Sequence, residues 1–154
     1  MVKTTSSFAN FAAGKAMENP FDHLEPELDA LVKRFEQMLS NQNVQFFDSE
    51  EYEEIIDYYL ERQNLERARK AIEMALDQYP SSPDFLLRKA KLLLLKRNGK
   101  KALELLDELE KIDPTNPEIY LTKGAIYSHL KQSEKAVEEY NRAIQYSDDL
   151  EVGV

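Results

Sequence analysis

The sequence predicts an all-α protein made of antiparallel helix pairs stacked in register, and three observations carry that expectation. Apolar residues recur at spacings of three and four along most of the chain, the period of a helix with one buried face. Glycine is scarce, four among 154 residues, which argues against a turn-dense β architecture. Two joints, Tyr79-Pro80-Ser81-Ser82-Pro83 and Asp113-Pro114-Thr115-Asn116-Pro117, lie 34 residues apart and share one grammar. In each, a proline ends a helical pattern, two small polar residues follow, and a second proline opens the next helix. Proline is tolerated there because its missing N–H would be unpaired in the first turn anyway, and Ser82 and Asn116 just before it are good caps.

Residues 1–20 mix Ser, Thr, Ala, Gly and Asn with little periodicity and read as a flexible leader. Residues 21–47 hold an N-terminal helix. Leu24, Leu28, Leu31, Val32, Phe35, Met38 and Leu39 trace one stripe, and the helix itself should run from about Glu25 to Ser40. Asp48 or Ser49 then caps a helix to about Arg62, with Glu50 and Glu51 favourably placed in its positive first turn. After a brief turn at Gln63-Asn64, Leu65, Ala68, Ala71, Ile72, Ala75, Leu76 and Tyr79 form the stripe of its partner. Two helices joined so tightly must lie antiparallel. The plan returns twice: Pro83 to about Arg97 and Lys100 to about Ile112, then Pro117 to about Leu130 and Glu134 to about Tyr146. Asn98-Gly99 is the turn of the second pair, its glycine suited to left-handed geometry. The period is 34 throughout: Ala68, Ala102 and Ala136 keep step, as do Ile72, Leu106 and Tyr140. Three units follow, 49–82, 83–116 and 117–150, most simply parts of one domain.

These residues resemble the tetratricopeptide repeat family. Tyr120, Gly124, Tyr127, Ala136, Tyr140 and Ala143 carry its pattern in the third unit, and Leu86, Ala90, Leu93, Ala102, Leu106 and Pro114 in the second. Tyr52, Tyr59, Ala68, Ile72, Ala75 and Pro80 carry it in the first, where Ile56 takes the place of the usual small residue. The resemblance implies a right-handed superhelical α-α solenoid, with the helix of residues 21–47 as a cap on its first unit. It also implies a non-catalytic adaptor or scaffold that holds a peptide or partner helix in a concave groove lined by the first helix of each unit. By position, the groove would present Glu53 and Asp57, then Leu87, Lys91 and Leu94, then Leu121, Ala125, Ser128 and His129. Glu53, Asp57 and Thr122 stand where one subgroup clamps a terminal carboxylate with basic and amide side chains, so that specificity is not expected.

No constellation of catalytic chemistry stands out. The sequence has no phosphate loop, no HExxH, no GxSxG and no cysteine, and its two histidines, His23 and His129, are far apart. The acids Glu50, Glu51, Glu53, Glu54 and Asp57 lack the glycine turn of a calcium loop and read as a solvated helix start. Neither enzyme activity, cofactor nor metal is expected. A formal net charge of −9 disfavours nucleic acid or an anionic membrane as a main partner, since both call for a cationic face. No apolar run reaches the length of a signal peptide or membrane span, so a soluble cytoplasmic protein is the default.

Two features leave room for other roles. Charge is segregated, seven acids and no base over Asp48–Glu61 against seven bases and no acid over Arg88–Lys101. Helix-dipole pairing and a solvated face account for much of this, while a dipolar partner or head-to-tail contact between copies would also use it. At Asp148 the third joint lacks its prolines, and the stripe Val137, Tyr140, Ile144 and Tyr146 would be left uncovered. The chain is therefore expected either to be part of a longer repeat array or to associate with itself through Val137, Tyr140 and Ile144, as a structural scaffold. A third role is the non-catalytic part of a larger enzyme or regulator. Among Leu92-Leu93-Leu94-Leu95, Leu93 is needed within the stack and Leu94 or Leu95 should face the groove.

Overall fold

A computed structural model describes residues 25–152, of which 149–152 are described in backbone only. The leader at 1–20, and Leu24 of the first stripe, lie outside the described residues. Within them are seven helices and no strand: α1 (Pro26–Asn41), α2 (Ser49–Glu61), α3 (Leu65–Gln78), α4 (Pro83–Leu95), α5 (Gly99–Ile112), α6 (Pro117–His129) and α7 (Ser133–Val152). Two compact units divide the chain after Gln45.

The first unit contributes α1. Pro26 occupies its first turn, Asp29 and Lys33 pair one turn apart at 2.9 Å, and Gln42 ends it in the left-handed region. Gln45 folds back on the helix, its N–H donating to Met38 Sδ and its Oε1 accepting from Arg34 Nε, both at 3.4 Å.

The second unit is the stack. Each hairpin is closed by the same turn, and every bond of that turn recurs. The N–H of Asn64, Asn98 and Gln132 donates to the carbonyl of Tyr59, Leu93 and Tyr127, and the N–H of Gln63, Arg97 and Lys131 donates to Leu60, Leu94 and Ser128. This is the Schellman closure, which satisfies the last carbonyls of a helix and requires a left-handed residue just after it. That residue is Gln63, Arg97 or Lys131, with φ of 55°, 62° and 61°. The glycine expected to supply left-handed geometry does not: Gly99 already belongs to α5, and no described glycine has positive φ. Asn64 and Asn98 then serve a second purpose, their side chains accepting from the N–H of Arg67 and Lys101 as caps of α3 and α5. The first helices consequently end one or two residues before the expected Arg62, Arg97 and Leu130.

The proline joints behave as expected. Ser82 Oγ accepts from the N–H of Phe85, Asn116 Oδ1 accepts from the N–H of Glu118, and Pro83 and Pro117 open their helices. Asp48 and Glu51 form a reciprocal capping box on α2. Where the third joint was expected to end the last helix near Tyr146, α7 instead runs on to Val152. With neither proline nor glycine between Ser147 and Val152, nothing removes a helical hydrogen bond there.

The alanines Ala68, Ala102 and Ala136 are buried, as are Ala75, Leu109 and Ala143, so each helix pair closes on a small-residue seam. Large residues fill the space to the next pair. Phe47, Tyr52 and Phe85 meet edge to face at 5.6 and 6.2 Å, and Tyr120 stacks on Tyr146 at 5.2 Å. The two tyrosines at corresponding places differ in one respect. The Tyr120 hydroxyl donates to the Pro114 carbonyl, whereas the buried Tyr52 hydroxyl has no hydrogen-bond partner among the described residues, and burial pushes its pKa up. Tyr52→Phe is therefore expected to be neutral or to stabilise by up to about 1 kcal/mol, and Tyr120→Phe to cost about 1 kcal/mol. Urea unfolding of the two variants checks the contrast, and equal losses would remove it.

Candidate functional site

The backbones of successive first helices approach closely, α2 beside α4 and α4 beside α6, whereas the backbones of α3 and α5, and of α5 and α7, stay farther apart. The first-helix side is thus the shorter, inner side of the stack, and it carries the residues expected to face a partner. Helical spacing places Glu53 and Asp57 on α2, Leu87, Lys91 and Leu94 on α4, and Leu121, Ala125 and Ser128 on α6, each set along one stripe.

Their surroundings differ. Glu53 and Asp57 are engaged by Arg88 of α4, whose Nε and Nη2 donate to the two Asp57 oxygens at 2.9 Å each, with Glu53 at 3.5 Å. This fork is a bidentate bridge between first and second repeats. Burial opposes the Arg88 charge, but Asp57 and Glu53 more than offset it and hold its pKa above the ordinary range. Glu53 is pushed the other way from a free carboxylate: burial raises its pKa, and the pull of Arg88 does not fully cancel that. Lys91 reaches Glu118 of α6 at 3.0 Å and joins second repeat to third. Three of the charges expected to meet a partner therefore already bridge neighbouring first helices. Sequence spacing put these acids and bases on one face, but the separation of 31 positions between Asp57 and Arg88 hid the pairing.

The apolar members also separate. Leu87 is 6% exposed and belongs to the core formed with Ala90, Leu106 and Ile119, whereas Leu121 is 42% exposed. Of the leucine run, Leu92 is buried, Leu93 and Leu94 are half-buried, and Leu95 is the one that reaches the surface. Ala125 is half-buried, and Ser128 and His129 are exposed. Leu94 and His129 come together with Leu95, Ile126 and Leu130 around an open pocket of about 530 Å³ at the turn end of the inner side. Ile126, Leu130 and Arg97 complete that end and were not among the groove residues chosen by repeat position, whereas Leu95 was expected to face the groove. Thr122 is buried, its hydroxyl donating to the Glu118 carbonyl, so it presents nothing to a partner.

Away from the inner side, Lys123 is buried between α5 and α7. Its ammonium sits 2.8 Å from Asp107 and also pairs with Glu110, while Arg142 bridges Glu110 and Glu139 at 3.7 and 3.2 Å. On α7, of the three residues expected to serve in self-association, Val137 and Ile144 are exposed and Tyr140 is half-buried. The Tyr140 ring packs against Gly124, so close that a Cβ on that glycine would stand 2.6 Å from Tyr140 Cε1. Among the described residues no group of His, Asp and Glu could hold a metal, and no helix is long and apolar enough to cross a membrane.

Comparison with curated proteins gave no match. Comparison with protein families gave two, both described as tetratricopeptide repeat, over residues 54–117 and 100–138. Together they span more than half of the chain. The chain belongs to the tetratricopeptide repeat family.

Proposed function

We propose that the protein is a non-catalytic interaction module that holds a peptide or partner helix along the inner side of its stack. Repeats of this family generally serve in protein–protein interaction. The observation that carries the finer reading is the exposure of Leu121 in the middle of the inner stripe of α6, continuous with Ala125 and flanked by charges that tie the first helices together. A preformed surface of this kind binds without first being ordered, which favours affinity.

Leu121 is also the residue to test. Replacing the buried Leu87 by glutamate would disturb the core, whereas Leu121→Glu leaves packing in place and sets a charge on the binding face. Proteins captured from lysate by the immobilised chain and by Leu121→Glu are compared by mass spectrometry, with circular dichroism verifying that both are folded. The expected result is loss of specific partners from the variant. Unchanged recovery would overturn the inner-side assignment.

Self-association through α7 has less to stand on. Val137 and Ile144, 56% and 58% exposed, are two apolar residues among Glu134, Glu138, Asn141 and Gln145, and Tyr140 is half-buried against Gly124.

A further inference from the structure

We infer that the pocket at the turn end of the inner side receives an apolar side chain of an acidic peptide. This names the partner class and rests on the reading of the inner side as a protein-binding surface. Leu94, Leu95, Ile126 and Leu130 form the apolar floor, and Arg97 and His129 stand at its rim. Leu95 and Leu130 remain exposed, so the pocket is open along one side. A small ligand is normally enclosed over most of its surface, which this shape does not provide. One or two side chains of a longer chain fit it, with the backbone left in water.

Charge decides what that chain carries. Six of the seven bases from Arg88 to Lys101 fall into two sets, Lys89 belonging to neither. Arg88 and Lys91 are paired across to α2 and α6. Lys96, Arg97, Lys100 and Lys101 gather at the α4–α5 turn with no acid in that stretch, and none of them makes an ion pair among the described residues. The first turn of α5 adds to the effect. It has no acidic residue and bears Lys100 and Lys101 on the end of the helix that is already positive. Of these four, Arg97 lines the pocket and Lys96 lies in the field of Glu66, so in a chain of net charge −9 the turn beside the apolar floor is locally cationic, with Arg97 as the charge at its rim. Such a rim attracts an acidic segment and discriminates against a basic one.

The test is a titration of the full chain with the pentapeptides ELDLE and KLKLK, followed by NMR shifts of the amides of Leu95, Arg97 and Leu130. Arg97→Gly removes the guanidinium while suiting the left-handed backbone at that position, so the variant should fold at least as well as the parent. Expected are saturable shifts with ELDLE alone, weakened by added salt, about fivefold weaker binding in Arg97→Gly, and at least about tenfold weaker binding in Leu95→Glu. Equal response to KLKLK, or full ELDLE binding by Leu95→Glu, overturns the proposal, as does binding abolished by Leu121→Glu alone. Failure of ELDLE to bind while partner capture still depends on Leu121 sinks the acidic-peptide assignment and leaves the interaction surface standing. ELDLE binding in the pocket with Leu121-independent partner capture does the reverse.

Discussion

Replacing Gly124 by alanine is expected to destabilise the protein by about 1–2 kcal/mol, although alanine is the better helix former. The substitution gains about 1 kcal/mol of helix propensity at an interior position. Against this, the new methyl would stand 2.6 to 2.8 Å from three atoms of the Tyr140 ring, which packs against Gly124 and must move away. Overpacking of this kind costs about 1–3 kcal/mol, and the upper part of that range applies because the ring has no single flexible end to bend aside. The second repeat indicates the remedy. The places held by Gly124 and Tyr140 are held there by Ala90 and Leu106, both fully buried, and in the first repeat by Ile56 and Ile72. Glycine faces tyrosine where alanine faces leucine, so the two positions divide one volume between them. The double variant Gly124→Ala, Tyr140→Leu is therefore expected to be more stable than Gly124→Ala alone, with a coupling of about 1 kcal/mol or more in a double-mutant cycle. Urea denaturation of the four proteins measures it. Additive effects would show that the two positions do not share a volume.

That pairing shows what was legible in the sequence and what was not. The 34-residue phase, the proline joints and the caps Ser82 and Asn116 are all local: each depends on a residue and its neighbours within one turn, and each was readable. The turns were placed correctly but given the wrong chemistry. Left-handed geometry was assigned to Gly99 because glycine is the residue that adopts it most easily, while the closure bonds put Arg97 there and use Gly99 for close approach to Ile126. The end of α7 was missed for a related reason. Asp148 was read as a joint by its phase, but phase alone does not break a helix when no proline is present.

The candidate site was less legible because it depends on which surface each side chain meets across repeats. Repeat position put Leu87 and Leu121 in equivalent places, and by sequence they are interchangeable. The structure buries the first and exposes the second. Likewise the charge segregation was visible as two runs. That Arg88 and Lys91 are consumed in bridges while Lys96 to Lys101 face outward needed the helices in place. The Lys123 cluster gave no signal at all, because a single lysine on a predicted first helix looks like any solvated base.

Lys123→Met should cost about 2 kcal/mol and lower the melting temperature by roughly 6 °C. Removing one partner of a fully buried ion pair costs about 3–5 kcal/mol, but the side chains of Asp107 and Glu110 keep 64% and 29% of their exposure, so water screens part of the charge left behind. The pH dependence gives the sharper test. Burial opposes the Lys123 ammonium, but Asp107 and Glu110 outweigh it and hold its pKa above 10.5. Burial, reinforced by Glu110, pushes the Tyr120 hydroxyl up to about 12 from 10.0. Both pKa values are raised in the folded state, so the folded protein keeps these protons after the unfolded chain has released them. The stability they contribute is complete below about pH 10 and is lost as pH climbs toward 12. Lys123→Met should begin less stable at neutral pH and lose less over that alkaline range. On the acid side the sign comes from Glu139, whose pKa burial already raises and Lys123 and Arg142 pull back. Without Lys123 it rises further, so protonating Glu139 relieves the variant more than the parent, and the gap between them should narrow as pH falls toward 4.5. Thermal unfolding of both proteins from acid to strongly alkaline pH measures the two arms, and a constant difference across the range would show that Lys123 contributes packing rather than charge.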